Sequence, residues 1–160
     1  MGTRGGASFW VFIVVLIIGH LVLHVALGLG AAGPDLLTGA VLLSARILGG
    51  SSAAAFGLVL GVLADAMSLT TFGAQALVNT VIGFLGARSR DLFEGDSLLF
   101  VGAYIFLGKW LRDALYFMLT RAAHPEPWSW LLTSAPLAAV YAAVGIMVAI
   151  TLYRAATGER

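Results

Sequence analysis

The ionisable side chains that interrupt this chain's apolar runs are the ones whose types and spacing could do chemistry. Lys109, Arg112 and Asp113 fall near the middle of the run 98–120. Lys109 and Asp113 are four apart, one above the other on a helix, and Arg112 stands one turn from Lys109 on an adjoining face. Asp65 closes the series Gly57, Gly61, Asp65, which recurs at every fourth position and so lies along one side of a helix. A carboxylate within a membrane span costs roughly 2.5–3.5 kcal/mol at the centre unless a partner or water is supplied. Two readings of Asp65 follow: it caps the polar turn after it, or it pairs with a cation elsewhere. An internal Lys109–Asp113 pair leaves Arg112 in need of an acid, and Asp65 is the other acid expected at membrane depth. An Asp65–Arg112 contact is therefore an expectation to test. His20 and His24 have the i, i+4 spacing that can offer two imidazoles to a metal. With no cysteine and no acidic motif nearby, packing or interhelical hydrogen bonding accounts better for the pair, and neither a metal nor a cofactor is expected.

Charges at membrane depth suit an ion or solute path, or a latch that fixes helix packing; the commoner latch is preferred. No Walker loop, dinucleotide fingerprint, nucleophile elbow or HExxH motif occurs, and the serines sit mainly in loops and helix ends, so no enzymatic role is expected.

The elements that position these residues must be membrane helices. The 160 residues are 60% hydrophobic and 11% charged, with a mean hydropathy of +0.97. A soluble domain carries about 25% charged residues. The pattern predicts a single all-α, polytopic membrane domain over 1–160 with six transmembrane helices at about 8–29, 36–48, 53–67, 74–87, 98–120 and 129–153. The first span reads as an uncleaved signal anchor. The second is short for a ~30 Å bilayer core, so it is extended by its flanks, embedded in protein or re-entrant. Gln75 and Asn79 share a face of the fourth, which suggests an amide pair turned toward protein, and the run 88–97 is the most charged segment of the chain.

With the amino terminus in the cytoplasm, six spans place Arg4, Arg46, Arg88, Arg90, Arg154 and Arg160 inside and Arg121 outside. That asymmetry follows the positive-inside rule and supports an even number of spans with both termini cytoplasmic. The scattered basic residues form no patch, so no nucleic-acid partner is expected. The scarcity of lysine beside heavy Ala, Gly and Leu usage suggests a GC-rich bacterial genome.

Taken in order, Pro34 before a short second span, the Gly57-x-x-x-Gly61-x-x-x-Asp65 series, Gly73-x-x-Ala76-Leu77 and Thr80-x-x-Gly83-Phe84 resemble the rod shape-determining protein MreD family. The resemblance covers nearly the whole chain by length and span layout, while its specific part is Pro34 and the stretch 57–86. It implies a non-catalytic subunit of the bacterial cell-elongation machinery in the cytoplasmic membrane, serving lateral peptidoglycan synthesis and rod shape. The partners implied are the bitopic MreC, the actin-like MreB, RodA and a class B penicillin-binding protein. It also implies a six-helix bundle like the S-components of energy-coupling-factor transporters. Pro34, Gly57, Gly61, Asp65, Gly73 and Gly83 carry over as packing and assembly positions; Lys109, Arg112 and Asp113 are not part of that motif. The expected contact surfaces are an exposed small-residue helix face for MreC and the cytoplasmic loop beginning at Arg88 and Arg90. The rival reading is an S-component-like substrate-binding subunit of a vitamin or small-solute transporter, weakened by the lack of an Ala-x-x-x-Ala motif in the first span. A proton- or ion-coupled carrier ranks last, for want of an internal repeat or broken-helix pair.

Overall fold

The computed structural model describes residues 3–26, 33–67, 73–89, 97–120 and 129–158. These form six helices, and no strand occurs among them. In chain order they are α1 (Thr3–Leu21), which runs on through a wider π-helical turn (Val22–Ala26), α2 (Leu36–Ala45), α3 (Gly50–Met67), α4 (Ala74–Ser89), α5 (Leu98–Thr120), and α6 (Ala135–Thr157), which a second π-helical turn (Trp130–Ser134) precedes. Local chemistry sets several of the ends. Asp35 caps α2 by accepting from the Thr38 backbone N–H at 3.0 Å and the Thr38 hydroxyl at 2.7 Å. Gly73, at φ +92°, turns the chain into α4 in a conformation that costs other residues energy, and Gly158 closes α6 the same way at φ +70°.

Successive helices run in opposite directions. On α3 and α4, Gly57 lies against the carbonyl of Asn79, Gly61 against Ala76, and Gly83 against the carbonyl of Ala53. Tyr104 of α5 donates to the carbonyl of Leu42 on α2 at 3.0 Å. Trp110 of α5 donates to the carbonyl of Leu131 at 3.1 Å, just before α6. Ser8 and Tyr153 share a hydrogen bond at 2.7 Å, joining the start of α1 to the end of α6. All the described turns therefore divide between two ends of the bundle. One end gathers the C-termini of α1, α3 and α5 with the N-termini of α2, α4 and α6; the other gathers Arg46, Arg88 and Arg154.

The centre of the bundle is α2, all of whose ten residues are buried. It touches every other helix, and its Val41, Leu42, Leu37 and Ala40 join Ile13, Ile82, Ile105 and Ile146 in one core. Its shortness is thus the shortness of a helix embedded in protein. Lateral faces are apolar and exposed, as on α1 at Val11, Val14, Val15 and Ile18 and on α6 at Leu137, Val144, Val148 and Leu152. Such faces suit a hydrocarbon surrounding rather than water.

Three segments are long and apolar enough to cross a membrane on their own: Gly6–His24, Gly50–Met67 and Trp130–Thr157. The other three helices fall short for local reasons. α2 has 10 residues, α4 has 16, and α5 has the length but carries Lys109, Arg112 and Asp113 within it.

Candidate functional site

The fourfold series on α3 is the first part of the site to explain. A Cβ at Gly57 would strike the Asn79 carbonyl, and one at Gly61 would strike the backbone of Gln75 and Ala76. With only hydrogen atoms between them, the α3 and α4 backbones meet directly, the arrangement that small residues permit where no hydrophobic force acts between helices. Gly83 answers from α4 against Ala53. At the end of the series Asp65, 1% exposed, accepts from the Gln75 N–H at 3.0 Å on Oδ1 and from the Ala76 N–H at 2.9 Å on Oδ2. These are first-turn donors of α4 that have no intrahelical partner, and the carboxylate also faces the positive end of the helix dipole. Asp65 is thus a cap supplied from the neighbouring helix.

This corrects the expected Asp65–Arg112 contact. Arg112 instead donates through Nη1 to Asp113 Oδ1 at 3.0 Å and through Nη2 to the side-chain oxygen of Gln75, and its guanidinium lies 5.2 Å from the centre of the Tyr116 ring. Gln75 therefore stands between Asp65 and Arg112, its backbone held by one and its side chain by the other. It does not pair with Asn79, which is wholly buried and whose amide makes no hydrogen bond among the described residues. The glycine face of α3 is consumed inside the molecule, against α4.

Lys109 does meet Asp113, at 2.5 Å. It also reaches Asp35 Oδ2 at 3.2 Å, the acid that caps α2. Two carboxylates and two cations from α2's cap and α5 therefore close a network of zero formal charge. Removal from water is costly for each ion, and mutual pairing offsets it. His20 Nδ1 lies 4.0 Å from Asp35 Oδ1, and the His20 and His24 rings stack at 3.9 Å, with His24 Nδ1 bonded to the His20 carbonyl at 3.1 Å. No group of three or more metal-ligating side chains occurs among the described residues.

These residues line a cavity of ≈ 600 Å³ at the end of the bundle opposite Arg46, Arg88 and Arg154. Its wall includes Gln75, Tyr116, Trp130 and Tyr141 besides the charged network. Of the other positions singled out from sequence, Pro34 packs against Gly145 of α6, Gly73 turns into α4, and Arg88 is exposed on the last turn of α4. Arg90, Arg121, Arg160 and most of the charged run 88–97 lie outside the described residues. The signal that the sequence offers for Asp35 is its place at the start of a helix too short to span, which does not name Lys109 as its partner.

The family model for rod shape-determining protein MreD matches residues 4–126. The chain belongs to the MreD family. No curated protein and no solved structure matches it. The matched stretch takes in α1 to α5, and hence the α3–α4 zipper and every charged member of the network; α6 lies beyond it. Membership gives this MreD-family chain a role in rod shape determination as a non-enzymatic membrane protein.

Proposed function

We propose that this chain is a scaffold subunit of the bacterial cell-elongation machinery, set in the cytoplasmic membrane by six transmembrane helices with both termini in the cytoplasm. It binds an MreC-like bitopic protein and works with MreB, RodA and a class B penicillin-binding protein in lateral peptidoglycan synthesis. The observation that carries this reading is the family match over residues 4–126. The arginines at one end of the bundle support the orientation, since basic residues favour the cytoplasmic side. With the α3 glycines spent on α4, the partner's helix meets outward apolar faces, while Arg88 and Arg90 serve cytoplasmic partners.

The test is affinity purification from native membranes in mild detergent, followed by mass spectrometry of what co-purifies above a mock control. Recovery of MreC with RodA or the transpeptidase is expected. The cavity favours one second reading, a substrate-binding subunit built like the S-components of energy-coupling-factor transporters. Recovery of paired ATPases with a membrane coupling protein would establish that reading instead.

A further inference from the structure

Away from the charged cavity, a hollow of ≈ 180 Å³ lies on the side of the bundle where α4 meets α5. Leu42 and Ile82, both buried, are its floor, and the exposed Leu85, Leu107 and Leu111 are its rims. It follows α5 from Tyr104 to Leu111, about 10 Å of helix. One turn farther along the same seam, a second apolar hollow of ≈ 290 Å³ continues past Val81 and Leu115 to Leu119. The bilayer core offers no water to fill such a groove, only acyl chains. Each leaflet supplies chains about 15 Å deep, half of the ~30 Å core, lying along the helices as the groove does.

The groove's outer end selects among lipids. Tyr104 is part of the wall, and the Arg46 guanidinium lies 5.9 Å from the centre of its ring. Ser89 is part of the wall too, and Arg88 before it is exposed, two turns beyond Val81 on the same side of α4. The carboxylates among the described residues, Asp35, Asp65 and Asp113, belong to the opposite end of the bundle or its cavity. Two guanidinium groups therefore stand where the apolar groove meets the membrane surface. Guanidinium pairs with phosphate through parallel hydrogen bonds, and basic pockets between membrane helices receive anionic head groups. A zwitterionic head would bring an ammonium to an end that is already positive.

We propose that the α4–α5 seam binds an anionic phospholipid from the leaflet at the arginine end, with one acyl chain in the groove and the phosphate on Arg46 and Arg88. The site rests on the chain's membrane setting and is independent of which proteins it assembles with. A cytoplasmic partner that uses Arg88 would displace the head group, so the test uses the full chain without partners.

Native mass spectrometry of the full chain in detergent, titrated with phosphatidylglycerol or with phosphatidylethanolamine of the same acyl chains, tests it. A single-adduct preference of at least tenfold for phosphatidylglycerol is expected. Arg88→Gln should lower that preference at least threefold, Arg88→Lys should keep most of it, and Arg46→Gln with Arg88→Gln should abolish it. Leu107→Trp, which fills the groove and leaves both arginines, should cut the phosphatidylglycerol adduct about tenfold. Arg154→Gln removes a charge from the same end of the bundle on α6 and should leave the preference intact. Arg88→Gln changes an exposed side chain, so it carries the test even where the double variant does not fold. Equal binding of both lipids, as neutralisation of the arginines by Asp91, Glu94 or Asp96 would produce, overturns the proposal. So does a full preference in Arg88→Gln, an undiminished adduct in Leu107→Trp, or a loss in Arg154→Gln as large as that in Arg88→Gln.

Discussion

The α3–α4 hairpin and the α2–α5 seam are both buried, yet they hold by opposite means. In the hairpin, backbones meet across glycine, and the buried carboxylate of Asp65 is satisfied by backbone N–H donors of the helix it abuts. In the seam, side chains of both signs meet at the cap of α2 and the middle of α5, and cancel one another. The first arrangement leaves no space between the two backbones; the second leaves a cavity lined by the charged side chains. A membrane bundle can therefore treat one carboxylate as a structural cap and others as the wall of a site, and the partner, not the residue type, decides which.

The largest effect should come from filling the hairpin. Gly61→Leu sets a side chain against backbone, which cannot move aside as a flexible side chain would, so little folded protein should survive detergent extraction by size-exclusion chromatography. Breaking the seam comes next. Lys109→Met leaves Asp35 and Asp113 facing each other's surroundings without their shared cation, a loss of about 3–5 kcal/mol in chemical unfolding. The same substitution in an Asp113→Asn background should cost measurably less, and simple additivity would show that the pair is not coupled.

Asp65→Ala strands two N–H groups at the start of α4 and should cost about 1–3 kcal/mol. Because Asp65 does not pair with Arg112, adding Arg112→Gln should not rescue it; recovery of the wild-type melting temperature in the double variant would contradict the cap. The smallest expected loss is Gly73→Ala, about 1–2 kcal/mol for an alanine held in the left-handed region, visible as a modest fall in melting temperature.

The hairpin was legible because its signal is local. Gly57, Gly61 and Asp65 advertise one helix face by spacing alone, and glycine on that face implies a close neighbour. The Lys109–Asp113 pair was legible for the same reason, being one turn of a single helix. Asp35 was not, because its meeting with Lys109 depends on how α2 sits against α5, and no period in the sequence encodes that. The cavity was equally hidden, since its wall is drawn from all six helices or the turns beside them.

By itself the sequence determined that the chain is helical and apolar enough for a membrane, which residues share a helix face, and which family the ordered motifs resemble. Those properties follow from composition and from the 3.6-residue period, which any stretch of the chain carries within itself. Only the tertiary structure decided that α2 is the buried centre, that Asp65 caps α4 rather than meeting Arg112, and that Asp35 completes a neutral charge network. Such pairings join segments far apart in the chain, and their geometry exists only once the helices have packed.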